Sequence, residues 1–273
     1  LPPTRRPPMS NKTPSPIKSS LVIAHNTFLE SIRNRVLLVA LIFAIILVGL
    51  SVAAASVSFG ARARLIMDVG LAAGSAVGSI IAIALTISSF GGELKKRTAY
   101  TVLVRPMPRL SFILGKFMGL AATMTVVISL MLLATAGIVL SQGEGIPNAF
   151  WGSLWLNLVE SWVVIALSLF FSTIAIPVLA ATYTAGVILG GNLAGDILVF
   201  IKAAADKGMA NTQVFEFLYY LLPDLQNLSL RSQAANDMPI PMNFLLHGTL
   251  YGFCYAATIL IAAMWVFSYR KTL

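Results

Sequence analysis

Long uninterrupted apolar runs constrain this chain more than any other feature of its sequence. A helix needs about 20 mostly apolar residues to cross the hydrocarbon core of a bilayer. Six stretches reach that length, and they are residues 36–57, 65–90, 110–140, 151–174, 177–201 and 244–269. Only 11% of the 273 residues are charged, against about 25% in ordinary soluble domains. The sequence therefore predicts an all-α integral membrane protein, with six transmembrane helices in one domain that covers residues 19–273.

The N-terminal residues have a different composition. Residues 1–18 are rich in proline and basic side chains, which predicts a disordered basic tail. We expect no secretory signal peptide here, because the first apolar run is too long and too far from the start, and it lacks a cleavage site. Met9 precedes a more ordinary start and is the expected start of translation, with Leu1 as the alternative.

The basic residues predict the orientation of the chain. Six spans put both termini on the same side, and cytoplasmic segments are enriched in Lys and Arg. With both termini in the cytoplasm, 14 of the 19 basic residues lie inside and five lie outside. Two of the five, Arg62 and Arg64 in the first outer loop, count against this orientation. The net charge of +9 therefore fits membrane orientation better than binding to nucleic acid. We expect a multi-pass protein of the bacterial inner (plasma) membrane with cytoplasmic termini.

A segment before the first span has helical periodicity. In "PIKSSLVIAHNTFLESIRNR" and the valine that follows it, one face carries apolar residues and a histidine, at Leu21, His25, Phe28, Ile32 and Val36. This pattern predicts an amphipathic helix in the plane of the inner headgroups. The alternative is a cytoplasmic extension of the first span.

Two predicted spans carry glycines at four-residue spacing. They are Gly70, Gly74 and Gly78 in the second span, and Gly186, Gly190, Gly191 and Gly195 in the fifth, where Gly186 and Gly190 are the expected packing pair. Small residues at this spacing let helix backbones approach closely in lipid. The glycines therefore predict helix packing, either within the chain or at a sliding or dimer interface.

Several kinds of chemistry are excluded by the residues that the sequence lacks. It has no G-x-x-x-x-G-K-[ST] phosphate loop and no G-x-S-x-G, and its two histidines and one cysteine provide no metal cluster. We therefore expect no catalytic residue and no metal ligand. The acids within apolar runs are Asp68, Glu160 and Asp196, and such acids are functional candidates. Asp68 and Glu160 are expected near membrane ends, whereas Asp196 is the predicted substrate-path residue, with packing near the outer interface as its alternative.

A basic, proline-broken segment joins the second and third spans. Residues 93–103 have helix-forming composition, and Pro106 and Pro108 then turn the chain back. A short charged helix on the cytoplasmic side is suited to docking a soluble partner. A basic loop in contact with lipid headgroups is an equally good interpretation from physics alone.

The same segment carries a family resemblance. "ELKKRTAYTVLVRPMPRLSFILGKFMGL" resembles the segment after the second span of ABC-2-type permeases, the membrane subunits of ABC transporters. The matching residues are Glu93, Arg97, Thr98, Leu103, Arg105, Pro106, Arg109, Gly115 and Lys116. "IAHNTFLESIRNR" is similar to the amphipathic N-terminal helix of that family, and "YYLLPDLQNLSL" to its run before the last span. The resemblance is closest to the stand-alone six-span permeases of the copper-maturation (nitrous-oxide reductase) type.

The resemblance implies roles for individual residues. The segment after the second span would be a coupling helix in a cleft of a separate ATPase, with Glu93, Arg97, Thr98, Arg105, Pro106, Arg109 and Lys116 as its coupling residues. Short outer helices before the sixth span would gate the exit, with Pro223 and Asp224 in that gate. Two permeases would form a homodimer with two ATPase copies. This chain would bind no cofactor, because ATP and Mg²⁺ belong to the ATPase.

These expectations combine into one function and two alternatives. The chain is predicted to be the permease subunit of an ATP-driven ABC transporter that exports or flips a substrate. The first alternative is a membrane subunit that transmits ATP-driven motion to an extracytoplasmic partner without moving cargo. The second alternative is an ion-coupled secondary transporter, which needs inverted repeats and several intramembrane charges. We see no repeat in the sequence and only the few acids named above.

Overall fold

The computed structural model describes residues 16–34, 62–95, 109–195, 222–230 and 241–269, together with isolated positions between them. These residues form six α-helices, which are α1 (Pro16–Ile32), α2 (Arg62–Lys95), α3 (Arg109–Ser141), α4 (Asn148–Ile174), α5 (Pro177–Asn192) and α6 (Met242–Tyr269). A 3₁₀ turn covers Gln226–Leu228. The described part of the chain has no β-strand, so the all-α prediction holds for it. The first helix begins at Pro16, inside the segment predicted as a tail.

Four of the helices are long and apolar enough to cross a membrane. These candidate spans are Ala63–Phe90, Leu110–Ser141, Asn148–Ile174 and Met242–Tyr269, and they coincide with the predicted second, third, fourth and sixth spans. The predicted fifth span, 177–201, begins as α5, whose continuous helix has 16 residues. The predicted first span, 36–57, lies outside the described ranges except for isolated positions. The chain is therefore a multi-pass membrane protein with four candidate spans in its described part.

A sharp break separates α4 from α5, between the predicted fourth span (151–174) and fifth span (177–201). Ala175 and Ile176 have extended backbones, and Pro177 is the first residue of α5. Proline disfavours the helical conformation in the residue before it and is well tolerated in the first turn of a helix. The sequence therefore ends one helix and starts the next within two residues.

Helix α4 lies at the centre of the bundle. Of its 27 residues, 18 are buried, and it packs against α2, α3, α5 and α6. Helix α6, in contrast, buries a single stripe at three- to four-residue spacing, formed by Gly248, Gly252, Ala256, Leu260 and Ala263. The other faces of α6 carry exposed apolar side chains such as Leu250, Ile261 and Trp265. This arrangement fits a helix at the lipid-facing edge of a membrane bundle.

The glycines of α2 pack inside the chain. A β-carbon added at Gly74 would lie 3.1 Å from Leu132, and one added at Gly78 would lie 3.4 Å from Ile128, while Gly70 abuts Thr135. All three contacts are on α3. Of the two interpretations of this stripe, the structure favours close packing between α2 and α3 within one chain.

Candidate functional site

Helix α1 lies on α3 with a face of small polar residues. Thr27 and Ser31 are buried on this face. A β-carbon added at Gly115 would lie 2.8 Å from the carbonyl oxygen of Ser20, and one added at Gly119 would lie 2.5 Å from that of Ala24. These two glycines of α3 are four residues apart, so they form one groove into which the α1 backbone fits.

The predicted apolar face of α1 points away from the bundle. Leu21 and Ile32 are 58% and 47% exposed, and His25 is also exposed. A helix with a small polar face on the protein and large apolar side chains on the outside is suited to the headgroup boundary of a membrane.

Lys116 is buried where α1, α2 and α3 meet. Its side chain is 1% exposed, and its ammonium donates hydrogen bonds to Ser89 Oγ at 2.8 Å and to the Ser89 carbonyl oxygen at 3.4 Å. Glu30 Oε2 lies 3.6 Å from Lys116 Nζ and accepts a hydrogen bond from Ser89 Oγ at 3.4 Å. A buried ammonium is stable only when it is paired in this way.

We call Glu30, Asn34, Ser89 and Lys116 the α1 junction. Asn34 Nδ2 donates to Ser88 Oγ at 2.9 Å, which adds a second polar contact between the end of α1 and α2. An aromatic cluster at the same end brings α6 to the junction. Its rings, with centroids 6.0 to 6.3 Å apart, are Phe90, Phe112 and Phe267.

The predicted coupling segment starts and ends at the same end of the bundle as the junction. Helix α2 continues past the apolar stretch to Lys95, so the backbone of Glu93 is helical, and α3 begins at Arg109. Arg97, Thr98, Arg105 and Pro106 lie outside the described residues. Lys116 has partners within the chain, so any role that it has in coupling acts through α1 and α2.

The predicted outer gate lies at the opposite end of the bundle. Pro223 is buried and its carbonyl oxygen abuts Gly191 of α5. The backbone N–H of Asp224 donates to Tyr251 Oη of α6 at 2.8 Å. Gln226 Oε1 accepts a hydrogen bond from the backbone N–H of Gly195 at 3.0 Å. These contacts fix residues 222–230 against α5 and α6. Asp196 lies outside the described residues.

Of the α5 glycines, the structure brings Gly190 and Gly191 against the 222–230 segment, and it leaves Gly186 open. A β-carbon at Gly190 would lie 3.2 Å from Leu222, whereas no described atom lies within 4 Å of one at Gly186. Gly191 makes the closer contact, with the backbone of Pro223, although Gly186 and Gly190 were the expected packing pair. Gly191 and Gly195 share the same four-residue spacing as Gly186 and Gly190, so spacing alone does not indicate which pair contacts a loop.

This difference gives a matched pair of variants. We expect Gly191→Leu to displace residues 222–230 and to lower the free energy of unfolding by about 1–3 kcal/mol, because the contact is with backbone that cannot rotate away. Gly186→Leu is the control on the same helix and should change it little. Denaturant unfolding in micelles measures both. Equal effects of the two variants would contradict the packing of this segment on α5.

Glu160 is an acid near the middle of the candidate spans. It is the thirteenth residue of the 27-residue α4, its side chain is 2% exposed, and Ser75 Oγ of α2 donates a hydrogen bond to its Oε1 at 2.7 Å. The expectation that Glu160 lies near a membrane end was wrong, because it is close to the middle of the candidate span Asn148–Ile174. Asp68 lies near the end of its span, as expected.

The bundle also has an apolar cavity of about 350 Å³ between α3, α4 and α6. Phe117, Val159, Trp162 and Phe253 are among the residues that line it. The cavity therefore suits apolar groups and offers no chemistry of its own.

The comparison with family models identifies the chain. The model of the ABC-2 family transporter protein matches residues 21–271, a range that includes the α1 junction, α2 to α6 and the 222–230 segment. No match is found among curated proteins. Members of this family are membrane permeases that work with ABC ATPase subunits, and ATP hydrolysis lies on the ATPase. The chain therefore belongs to the ABC-2 transporter family, as a multi-pass permease that is not itself an enzyme.

Proposed function

We propose that this permease exports or flips a substrate across the plasma membrane, and that a separate ATPase drives it by docking on residues 93–109. The observation that carries the proposal is the α1 junction, where the buried Lys116 joins α1, α2 and α3. Both ends of the proposed docking segment lie at this end of the bundle. A push on the segment is therefore applied directly to packed helices.

The packing makes this mechanism physically reasonable. Helix α2 is a single element from Arg62 to Lys95, so a displacement at its charged end reaches the opposite end of the bundle. Packed cores have discrete arrangements and do not deform continuously, which turns a small local shift into a change between two states. ATP binding and hydrolysis on the partner would bias that pair of states.

The wider assembly is also a proposal. We propose that both termini are cytoplasmic, which fits the 14 basic residues assigned to that side. Two copies of the permease would pair with two ATPases, and the exposed Gly186 offers a small-residue position for close approach of a second chain. The copper-maturation type remains the subtype that the coupling segment resembles.

We expect Glu93→Ala or Arg97→Ala to leave the permease inserted in the membrane. Each variant should weaken the binding of the ATPase to the permease or uncouple its ATP hydrolysis. Loss of one member of a hydrogen-bonded charge pair in an interface typically costs roughly 2–5 kcal/mol. Lys95→Glu and Lys96→Glu are the controls, because we propose that those side chains face lipid headgroups. The measurements are pull-down of the ATPase and ATP hydrolysis in lipid. If all four variants behave like the wild type, the segment is only a basic anchor.

Reconstitution distinguishes this function from its alternative. ATP-dependent movement of a substrate or of a labelled lipid in proteoliposomes is the result expected for an exporter or flippase. ATP hydrolysis that depends on an extracytoplasmic partner and moves no cargo would instead support the subunit that transmits motion.

A further inference from the structure

Glu160 has no positive partner in the described part of the chain. Its carboxyl accepts one hydrogen bond, from Ser75, and no described residue forms an ion pair with it. Glu160 and Ser75 each lie near the middle of their candidate spans, Asn148–Ile174 and Ala63–Phe90. An isolated carboxylate at the centre of a bilayer is strongly unfavourable. The charge must therefore be neutralised by something other than these helices.

The ionisable groups on the neighbouring helices do not neutralise it. Asp68 of α2 is also an acid and is seven residues, or about 10 Å of helix, from Ser75. Lys116 of α3 bonds to Ser89, which is fourteen residues or about 21 Å of helix from Ser75. The remaining described ionisable side chains on α2, α5 and α6 are Arg64 at the opposite membrane end, Tyr183, His247, Tyr251, Cys254, Tyr255 and Tyr269. None of them bonds to Glu160.

Asn157 of α4 is a second unusual polar residue at the interface between α2 and α4. It is three residues before Glu160, so the two side chains share a face of α4. Asn157 faces Gly74 of α2, with its Nδ2 3.8 Å from the β-carbon position of that glycine. Glu160 faces the next residue of α2, Ser75, which donates a hydrogen bond to it. Asn157 is 8% exposed, and its Oδ1 has no hydrogen-bond partner among the described residues. A buried acceptor without a hydrogen-bond donor is destabilising. A donor to Asn157 Oδ1 would therefore stabilise this interface.

We propose that Glu160 is a proton-binding site at the centre of the membrane, and that the bound proton is donated in a hydrogen bond to Asn157 Oδ1. One proton, taken up from water, converts the carboxylate to a neutral carboxylic acid. Ser75 donates to Oε1, so the proton resides on Oε2. The same proton removes the uncompensated charge and supplies the missing donor.

A proton also suits the packing better than a metal ion. Glu160 is enclosed by α2 and α4, and a proton adds no volume to a packed interface. Movement of α2 away from α4 would admit water and release the proton. The site would therefore bind a proton when the α2–α4 interface is closed.

Infrared spectroscopy of the full-length permease in lipid bilayers tests this site directly. The carbonyl stretch of a protonated carboxylic acid is absent from a carboxylate. At neutral pH, water-exposed acids with ordinary pKa values of about 4 are ionised. We expect a carboxylic-acid band in the wild type at neutral pH that is lost in Glu160→Gln. In Asn157→Leu we expect the band to shift, because the acid has lost its acceptor.

Two outcomes would overturn the proposal. The first is a wild-type spectrum at neutral pH with no band that Glu160→Gln removes, which would mean that Glu160 is ionised. The second is a band that disappears when Na⁺ or K⁺ is added at constant pH, which would identify a metal-cation site. Glu30→Gln is the matched control, since Glu30 is half exposed and should leave the band unchanged. The spectrum needs no ATPase, so its result is independent of the proposed docking segment.

Discussion

Replacing Gly119 by leucine is expected to separate α1 from α3 and to lower the free energy of unfolding by about 3 kcal/mol or more. The β-carbon would lie 2.5 Å from the carbonyl oxygen of Ala24 and 2.7 Å from Thr27 Cβ. Backbone atoms of α1 cannot move aside by a change of rotamer, so the whole helix must shift. Denaturant unfolding in micelles measures the loss.

Gly137→Leu is the control for this variant. Gly137 lies on the same helix, and no described atom lies within 4 Å of its β-carbon position. A cysteine at the buried position of Ser20, in a chain that lacks Cys254, reports on separation of the helices. It should react with a water-soluble thiol reagent in the Gly119→Leu background and stay protected in the Gly137→Leu background. Protection in both backgrounds would show that α1 does not depend on this groove.

Glu30→Ala is expected to destabilise the permease more than Lys116→Met does. The alanine variant removes the carboxylate beside an ammonium that is only 1% exposed. Loss of a charged hydrogen-bonding partner costs roughly 1.5–3 kcal/mol, and we expect about 2 kcal/mol here because Glu30 is half exposed. Lys116→Met removes the buried charge itself, and the Glu30 carboxylate that remains is half exposed and can be solvated.

The double variant sharpens this test. If the effect of Glu30→Ala arises from the ammonium left behind, Glu30→Ala with Lys116→Met should unfold like Lys116→Met alone. Unfolding free energies of the four proteins give this interaction as a double-mutant cycle. Additive single effects would mean that Glu30 and Lys116 contribute independently and that the ion pair does not hold α1 in place.

The apolar runs predict most of the helices, because membrane span length is a local property of the sequence. They predict the break before Pro177 for the same reason, since proline acts on its own backbone and on the preceding residue. The amphipathic pattern also predicts α1 as a helix. Its outward apolar face follows from the pattern, but the groove at Gly115 and Gly119 does not, since those residues are about 90 positions later in the chain.

The depth of individual polar residues is the part that sequence reasoning missed. Lys116 is near the start of an apolar run and was expected to be an ATPase-coupling residue, yet it is buried against partners on α1 and α2. Glu160 was expected near a membrane end, yet it lies near the middle of α4 and bonds to Ser75 of α2. In both cases the position depends on long-range partners, Glu30 and Ser75, that no local pattern identifies.

The contact between α1 and α3 also has a consequence for biosynthesis. Glu30 leaves the ribosome 86 residues before Lys116. At about 5–20 residues per second, α1 therefore waits roughly 4–17 s for its groove to be made. During this time its large apolar face can rest on the membrane surface, while its small hydroxyl-bearing face has no partner. The nascent chain would thus hold its first helix at the bilayer and dock it only after the third is inserted.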